Sequence, residues 1–433
     1  MGIILPGDTY TSVMIKTPGD IDYQLEYSGR SIILDYSREL HIKIEENRLN
    51  LRILDAVFKA NQEIKLYPIK EPSAPAPGSG IIVRNVISGR DFHWQKNIDV
   101  RLPGTLILKR HGSHIIAINE LPLEHYLMCV ATSEMNASCP LELIKAQTIA
   151  ARSWILANAE QKHRDLEMDV CNDDCCQRYQ GTTNLSPHSI KGATETAGNV
   201  LMFENTICDA RYSKNCGGIM ESFDTIWPGK NPDYFHVKAD ADDKPMEWIP
   251  PLSEEKNFRR WLKATPLTFC SPWSVPEDEL KHYLGNVDEQ GRYFRWEIKV
   301  FQEEMTENMN KFHRIGAKAI VGVEVMNRGG SGRANRLLVE YIDQQDEHRI
   351  LVLQSEYAIR QSLYQKFLYS SAITILPEIG KQDIPKHFII KGAGWGHGVG
   401  LCQIGALGMA LKGFEMEQIL AHYYPGSFVD KIY

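Results

Sequence analysis

The sequence predicts an α+β protein with a β-rich N-terminal region, a mixed core whose helices frame an open groove, and an accessory second lobe. Three observations predict it. Residues 30–70 alternate in the manner of strands, residues 121–158 follow a helical period, and residues 391–433 join a glycine-rich stretch to two short helices. At 433 residues and 43% hydrophobic content, the chain is long enough for about two or three globular domains.

The N-terminal alternation is carried by the stretches SIILDY, LHIKIEE and LNLRILDA. It ends at the breaker-rich sequence EPSAPAPGSG, residues 71–80. We therefore expect a β-rich region with its linker over residues 1–79. Further short strands, IIVRNV, LILKR and HIIAIN, then open a core expected to span residues 80–243.

The helical period begins at Leu121. Leu123, Leu127 and Val130 fall at positions i, i+4 and i+7, and Glu134 follows at i+11. One face of the helix thus carries three apolar side chains and then a carboxylate. Glu134 is expected to point inward.

A second helix is announced by Pro140, which a first turn tolerates, and by Glu142, which suits the positive end of the helix dipole. Lys145 and Arg152 lie seven residues apart on this helix, so they share nearly one stripe of its surface. Two cations could therefore face a common cleft. The alternative is that both are simply solvated surface residues.

The C-terminal half is expected to contain two parts. Residues 244–390 mix helical patches with strands such as AIVGVEVMNR and RLLVEYI, which indicates an inserted accessory lobe. Residues 391–433 contain KGAGWGHGVGLCQIGA and two short helices separated by Gly413, and they are expected to complete the core.

The charge balance and the hydropathy pattern exclude several classes of function. With 48 basic and 55 acidic residues the net charge is −7, and no block of like charge suggests a nucleic-acid partner. No run approaches the roughly 18 apolar residues of a membrane span. The opening MGIILPGDTYTS also lacks the basic start and long apolar core of a secretory signal.

The nine cysteines are an odd number spread over a long chain, which argues against a disulfide framework. Cys171, Cys175 and Cys176, with His163 eight residues upstream of the first, have a spacing that could bind zinc. Cys216 could supply a fourth thiolate. Reduced cysteines with a purely structural role are the alternative.

Three sequence blocks, taken together and in this order, resemble the SpoIID/LytB family. The resemblance covers residues 95–243 and 315–433. The blocks are ELPLEHYLMCVATSEMNASCPLELIKAQTIAARSW, then DVCNDDCCQRYQG with ARYSKNCGGIMES, and finally GAGWGHGVGLCQIGALGMA.

The resemblance implies a lytic transglycosylase that cleaves the MurNAc-GlcNAc bond of peptidoglycan, with Glu134 as its acid/base residue. The family's catalytic glutamate lies in the EM dipeptide after LPLEHYL. One carboxylate can suffice, because the 6-hydroxyl of the muramic acid is the nucleophile and a 1,6-anhydro sugar is the product, whereas ordinary glycosidases use two carboxylates. Partial burial would let Glu134 keep its proton until it donates it. The alternative is a helix-end carboxylate paired with a nearby base.

The resemblance also implies a set of substrate-binding residues. Lys145 and Arg152 would hold the anionic groups of the glycan, Arg152 by its planar fork. The glycines of the YS..GG turn would let backbone approach the sugar, and Trp395 and His397 would stack on it or hydrogen-bond it. A tight strand connection and a crowded turn are the alternatives. The implied substrate-binding residues are Lys145, Arg152, Tyr212, Ser213, Gly217, Gly218, Trp395, His397 and Gln403.

No cofactor is required by this reaction, and a zinc ion would be structural because no activated water is needed. The family's frequent His-Cys pair before Gln is here Cys175-Cys176, which changes the ligand set. The implied partners are peptide-stripped glycan strands and a cell-wall amidase. The substrate in turn implies a location in the cell envelope.

Two other functions stay open at this point. The first is a non-catalytic peptidoglycan-binding enhancer of an N-acetylmuramoyl-L-alanine amidase, as the LytB side of the family suggests. The second is a metal-dependent hydrolase built on the cysteine group.

Overall fold

A computed structural model describes the whole chain except residues 36, 91, 93–94, 158–159, 174, 243–250, 285–291 and 381–383. It confirms the α+β class, with a β-rich N-terminal region and mostly antiparallel sheets. The chain forms two compact units. The first consists of residues 1–90, 94–200 and 431–433, and the second of residues 91–93 and 201–430.

The first unit contains twelve described strands. They form two six-stranded sheets, with the orders β1-β12-β11-β8-β3-β4 and β10-β9-β2-β5-β6-β7. The strands are β1 Gly2–Ile4, β2 Ser12–Lys16, β3 Tyr23–Tyr27, β4 Arg30–Leu34, β5 Glu39–Glu45, β6 Arg48–Ile53, β7 Ala56–Ala60, β8 Glu63–Pro68, β9 Ile81–Ser88, β10 Lys96–Leu102, β11 Thr105–His111 and β12 His114–Glu120.

The predicted alternation is present in these sheets. In β5, for example, Leu40 and Ile42 are fully buried and the residues between and beside them are exposed, as expected of strands with one face on a core. The predicted boundary at residue 79 does not separate two domains, however. Strands from both sides of it pair in the same sheets, β8 with β11 and β2 with β9.

Three helices follow β12: α1 Leu123–Glu134, α2 Leu141–Ala157 and α3 Pro187–Glu195. The first two match the predicted helices, and α2 begins directly after Pro140. The backbone becomes extended at Met135, so Glu134 is the last residue of α1. The three helices pack on one another. A side chain at Gly192 of α3 would lie 2.7 Å from Ile144 of α2, so glycine permits this close packing.

The rest of the chain carries seven helices and eleven strands among the described residues. The helices are α4 Phe223–Ile226, α5 Glu255–Leu262, α6 Leu280–Leu284, α7 Gln302–His313, α8 Glu356–Leu363, α9 Gln403–Leu411 and α10 Met416–Tyr423. The strands are β13 Asn199–Phe203, β14 Thr206–Ile207, β15 Tyr212–Ser213, β16 Arg295–Phe301, β17 Ala317–Arg328, β18 Ala334–Asp343, β19 His348–Gln354, β20 Ile373–Ile379, β21 Pro385–Ala393, β22 Leu401–Cys402 and β23 Phe428–Lys431.

These strands form small sheets, with the orders β14-β13-β23, β15-β22, β16-β21-β20 and β17-β18-β19. A core shared by the last two sheets and by α7 and α8 includes fully buried Val300, Met305, Leu337, Ile359 and Phe388. Burial of such side chains stabilises the fold by about 1.5–3 kcal/mol each. The second unit therefore has a hydrophobic core of its own.

The strands predicted in the accessory segment are β17 and β18, and the two predicted C-terminal helices are α9 and α10 with Gly413 between them. The predicted boundary after residue 243 lies outside the described residues, and the two compact units meet along the chain at residue 200 instead. Among the described residues, no helix combines the length and the apolar character that crossing a bilayer demands.

Candidate functional site

Glu134 lies at the end of α1 and is buried, with 8% of its surface exposed. Its inward orientation agrees with the prediction from the helical period. The carboxyl Oε1 accepts a hydrogen bond of 2.9 Å from the backbone N–H of Arg178. The neighbouring Ser133 accepts a second one, of 3.1 Å, from the backbone N–H of Gln180. The end of α1 is thus held by the segment 177–180.

The segment 177–180 is itself fixed by buried side-chain hydrogen bonds. Tyr126 of α1 donates to Gln177 at 2.7 Å, and Gln177 donates to the Ala151 carbonyl of α2 at 3.1 Å. Tyr179 donates to Asn119 at 2.7 Å. Satisfied buried networks of this kind rigidify their surroundings. The backbone N–H that contacts Glu134 is therefore held in place by contacts with both α1 and α2.

Arg178 and Gln180 alternate with Gln177 and Tyr179 along this segment. Arg178 is 6% exposed, and neither its Nε nor its Nη1 atom has a hydrogen-bond partner among the described residues. A buried donor without a partner costs about 1–3 kcal/mol, more when it is charged. Such a cost is typical of a functional site. Arg178 is the one cation in CQRYQG, and it is not among the site residues predicted from the sequence.

Lys145 lies on α2 as predicted, but its ammonium group is already paired. Its Nζ lies 3.0 Å from Glu142 and 2.9 Å from Glu195, and 19% of its side chain is exposed. The hydrogen bonds that this ammonium group donates to Glu195 and then to Glu142 raise the pKa of Lys145 above its ordinary value. In this arrangement Lys145 joins α2 to α3.

Arg152 is fully buried, and its guanidinium makes a two-pronged ion pair with Glu124 of α1. Its Nε and Nη2 lie 2.8 and 2.7 Å from the Glu124 carboxylate, and its Nη1 donates to the Asn199 carbonyl at 3.0 Å. Lys145 and Arg152 therefore pair with different carboxylates. The predicted substrate-binding role does not fit Arg152, because its planar fork is used to join α1 to α2.

The predicted metal ligands of the first unit come together. The ligand atoms of His163, Cys171, Cys175 and Cys176 all lie within 4.8 Å of one another. Hydrogen bonds from the Cys171 and Cys175 thiols lower the pKa of Cys176 to about 4. Three thiols and an imidazole are ligands that zinc accepts, so these four residues could hold a structural zinc.

Cys216 does not belong to that group. It lies with Asp240, Cys270 and Cys402 in a second group of buried metal-ligand side chains. The prediction that Cys216 supplies a fourth thiolate to the first group is therefore wrong. The true neighbours of Cys216 are up to 186 residues away along the chain, and spacing alone could not reveal them.

The YS..GG turn and the glycine-rich stretch lie side by side in the second unit. Tyr212 and Ser213 pair in parallel with Leu401 and Cys402. Asn215 and Trp395 exchange backbone hydrogen bonds of 2.9 and 2.7 Å. Residues of both segments are predicted for the same site, and the structure brings the two segments together.

The glycines of this region make room for protein groups. A Cβ on Gly217, which has a φ of 76°, would lie 3.1 Å from the backbone of Ala393 and Gly394. A Cβ on Gly218 would lie 3.0 Å from Trp261. This supports the tight-connection interpretation of the two glycines, because the close approach they permit is between two parts of the chain.

Trp395 and His397 differ in exposure. Trp395 is 4% exposed and packs on Tyr293 with ring centroids 4.5 Å apart, so it is not placed to stack on a sugar. His397 is partly exposed and its Nδ1 accepts a hydrogen bond from Val399 N–H at 3.1 Å. Gln403 is 1% exposed at the start of α9.

The electrostatics of His397 follow from its surroundings. Burial first, and then the charges of Arg211, Arg333 and Arg360, hold its pKa well below the ordinary value for histidine. Its imidazole is therefore neutral near pH 7. In this state His397 can exchange hydrogen bonds with a sugar but cannot attract an anion.

A large open cleft of about 1170 Å³ lies in the second unit. Burial lowers the pKa of Arg295, one of its lining residues, to about 10, so this side chain stays cationic at pH 7. Aromatic side chains, among them Trp296 and Tyr369, also line the cleft. Its charged lining consists of one acid, Glu297, and seven cations: Arg259, Lys263, Arg292, Arg295, Lys299, Lys366 and Lys391.

Two family models match the chain. Residues 111–203 match the family described as "Stage II sporulation protein". This segment contains α1, α2, the segment 177–180 and the first cysteine group. Residues 221–400 match a domain of unknown function, DUF8618, and this match includes the basic cleft.

Several curated proteins are similar to the chain. An amidase enhancer of Bacillus subtilis (strain 168) is 27% identical over 306 residues, which are 69% of this chain and 39% of that protein. A stage II sporulation protein D of Bacillus amyloliquefaciens is 23% identical over 75% of this chain and 78% of its own length. An uncharacterised protein of Brachyspira hyodysenteriae is 23% identical over 75% of this chain and 70% of its length. The chain thus spans about two fifths of the amidase enhancer.

Proposed function

Because this chain belongs to the SpoIID/LytB family, we propose that it cleaves the glycan strands of bacterial peptidoglycan as a lytic transglycosylase, with Glu134 as the acid/base residue. Membership of this family supports a role related to the cell wall. The particular reaction is our proposal. The observation that carries it is a buried glutamate at a helix end, held by a backbone N–H in the segment that matches the sporulation-protein family.

The proposed reaction needs one proton carrier. Glu134 donates its proton to the oxygen that links the muramic acid to the next sugar, and the bond from that oxygen to C1 of the muramic acid breaks. The 6-hydroxyl of the same muramic acid forms a new bond to C1 and gives its proton to the Glu134 carboxylate. Glu134 is thereby restored, no water is consumed, and a 1,6-anhydro sugar is the product.

The support for Glu134 is geometric. The hydrogen bond from Arg178 N–H fixes one carboxyl oxygen, and the side chains of Gln177 and Tyr179 fix the segment that carries this donor. A catalytic group held in one geometry removes an entropic cost from the reaction. No metal takes part in these steps. A zinc ion held by His163, Cys171, Cys175 and Cys176 would stabilise the loop that leads into the segment.

Arg178 supplies the cation that Lys145 and Arg152 cannot, since both of those are paired with carboxylates. We assign its guanidinium to the anionic lactyl carboxylate of the glycan. Arg178→Met is expected to lower kcat/KM about tenfold to a hundredfold, the value of one charge-assisted hydrogen bond. The stability should change by less than about 1 kcal/mol, because the substitution removes a buried charge with unpartnered donors. Steady-state kinetics and urea denaturation measure the two quantities.

Arg178→Lys is the matched variant for this prediction. It keeps the charge but loses the planar fork, so its kcat/KM should fall between those of the wild type and Arg178→Met. Unchanged kinetics together with a large loss of stability in Arg178→Met would instead give Arg178 a structural role.

A second candidate function, enhancement of an amidase by binding the cell wall, is favoured by the basic cleft and by the similarity to an amidase enhancer. Three of the seven cations are paired with carboxylates, and the other four leave the cleft with an excess of positive charge that attracts an anionic polymer. The double variant Lys299→Glu with Lys366→Glu is expected to weaken binding to insoluble peptidoglycan several-fold and to reduce its dependence on salt. Co-sedimentation at several salt concentrations measures this.

Lys318→Glu serves as the control for the cleft, because Lys318 lies on β17 outside the lining and is 56% exposed. Its binding should equal that of the wild type. If the double variant and the control bind equally well, the cleft is not the wall-binding surface.

The two candidate functions are separated by incubating the purified protein with peptide-free glycan strands in the absence of any amidase. Release of soluble fragments supports the transglycosylase. If no fragments appear and the rate of an added amidase rises, the enhancer function is supported instead. Both functions place the protein in the cell envelope next to an amidase, and we propose this location and this partner from the substrate.

A further inference from the structure

A second group of potential metal ligands lies inside the second unit. The ligand atoms of Cys216, Asp240, Cys270 and Cys402 all lie within 4.8 Å of one another. In the same order, these four residues are 3%, 0%, 2% and 1% exposed, so the ligand atoms are shielded from water. The three cysteines are all reduced. They come from separate segments, the turn after β15, the loop between α5 and α6, and the end of β22.

The spacing of the sulfur atoms fits one shared cation. The Sγ atoms of Cys216 and Cys270 lie 3.6 Å apart. In a tetrahedral site with zinc-sulfur bonds of about 2.3 Å, two sulfur ligands lie about 3.8 Å apart. A disulfide would need about 2.05 Å. The observed distance between these two sulfur atoms is therefore close to the tetrahedral value and far from that of a disulfide.

Asp240 distinguishes this group from an ordinary cluster of core cysteines. Its carboxylate is completely buried beside three thiols. An isolated buried carboxylate is costly, and buried charges are normally paired or coordinate a metal. The surrounding contacts orient it: Tyr423 donates to Oδ1 at 2.8 Å, and the backbone N–H of Cys270 donates to Oδ2 at 3.1 Å. The Nε2 atom of His422 also lies 3.4 Å from Oδ1, which leaves Oδ2 as the oxygen that would face the metal. Hydrogen bonds of this kind are typical around metal-ligating carboxylates.

The Sγ atom of Cys402 lies among hydrogen-bond donors. Cys402 precedes α9, and its Sγ accepts hydrogen bonds from the backbone N–H groups of Gly405 at 3.3 Å and of Cys216 at 3.2 Å. The start of a helix carries partial positive charge. The guanidinium groups of Arg333 and Arg295 add positive charge nearby, because they donate hydrogen bonds to the carbonyls of Cys216 and Gly217.

We propose that Cys216, Asp240, Cys270 and Cys402 bind one structural zinc ion. Thiolate-rich sets select zinc among the common divalent ions. Four protein ligands in a closed, buried site leave no position for water, so the ion would be structural. This site is separate from the group of His163, Cys171, Cys175 and Cys176, and it does not depend on the proposed cleavage of glycan.

The ion would link the YS..GG turn to the glycine-rich stretch, the two segments predicted to bind the substrate. Cys216 precedes the two glycines of the YS..GG turn, and Cys402 follows the stretch GWGHGVGL. Loss of the metal should therefore loosen β15 and β22, which pair through only two residues each. Backbone hydrogen exchange in these strands would rise.

The test uses the full chain with Cys175→Ser and Cys176→Ser, so that the first group no longer contributes metal. This background is expected to retain about one zinc ion per chain, measured by elemental analysis after dialysis. Adding Cys270→Ser or Asp240→Asn should reduce the zinc content at least tenfold. Cys208→Ser, which changes a buried cysteine outside both groups, should leave it unchanged.

Two further readouts use the background protein itself, so they do not depend on whether the Cys270 and Asp240 variants fold. Cobalt added to the metal-free background should give the intense absorption of thiolate-to-cobalt charge transfer, and zinc should shield three cysteines from a thiol reagent. A background protein without bound metal, a zinc content unaffected by Cys270→Ser, or an intact mass showing a Cys216–Cys270 disulfide would each overturn the proposal.

Discussion

Glu134→Gln is expected to lower the rate of glycan cleavage about a hundredfold to ten-thousandfold, the range that a positioned general acid/base contributes. The amide keeps the shape of the side chain, and its oxygen can still accept the hydrogen bond from the Arg178 backbone. It cannot donate a proton to the leaving oxygen or take one from the 6-hydroxyl. The loss should therefore appear in kcat with little change in KM.

The structural control is the melting temperature of Glu134→Gln. It should differ from that of the wild type by no more than a few degrees. Glu120→Gln is the matched variant, because Glu120 is a 64% exposed glutamate at the end of β12 in the same unit. It should retain full activity. Equal rates for the wild type and Glu134→Gln would remove Glu134 from the mechanism.

Glu124→Gln is expected to lower the free energy of unfolding by about 3–5 kcal/mol, because it leaves the fully buried guanidinium of Arg152 without its counter-charge. Glu195→Gln is the matched control. It removes one partner of Lys145 at the surface, where 41% of the Glu195 side chain is exposed, and should cost less than about 1 kcal/mol. Urea denaturation of the purified variants measures both quantities.

A double variant distinguishes the contribution of the charges to stability from that of side-chain packing. Glu124→Gln with Arg152→Met replaces the ion pair by groups without charge and should recover most of the lost stability. If the double variant is as unstable as the two single changes added together, the ion pair is not what couples α1 to α2.

The same ion pair predicts a dependence on pH. Burial acts to raise the pKa of Glu124, but hydrogen bonds from Arg152 and Tyr433 outweigh it and hold the pKa below the ordinary value for glutamate. A lowered pKa stabilises the fold at pH values above the ordinary pKa, and this contribution is lost as the pH falls through the lowered pKa. The difference in the free energy of unfolding between the wild type and Glu124→Gln should therefore become smaller as the pH falls below about 4.5. Denaturation curves at a series of pH values test this.

Much of the local structure could be predicted from the sequence, because it depends on short-range periodicity. The helical period gave α1 and α2 and the inward orientation of Glu134, and alternation gave the strands of residues 30–70. The boundary at residue 79 failed for a physical reason. A stretch rich in Pro and Gly predicts a loop, but it does not reveal that strands on either side pair with each other.

The partners of the site residues were harder to predict because they lie far apart along the chain. The seven-residue spacing of Lys145 and Arg152 placed both on one stripe of α2, but nothing in it reveals that Glu124, 28 residues from Arg152, takes up the guanidinium. In the same way, the sequence showed Trp395 as an aromatic residue among glycines and could not show Tyr293 packed on it.

The cysteines illustrate the same limit. Cys171, Cys175 and Cys176 are close in sequence, and the structure brings their sulfur atoms together with His163 as the spacing predicted. Cys216, Cys270 and Cys402 are separated by 54 to 186 residues and meet only in the folded second unit. Motif spacing detects the first kind of site and misses the second.

The most direct test of the central claim is the mass of the sugar at the cut end after the wild-type protein has acted on peptide-free glycan strands. Attack by the muramic acid's own 6-hydroxyl predicts fragments that end in a 1,6-anhydro sugar, lighter by one water than a hydrolysed end. Fragments that end in an ordinary reducing sugar would contradict the account, because a water molecule would then have replaced the 6-hydroxyl as nucleophile.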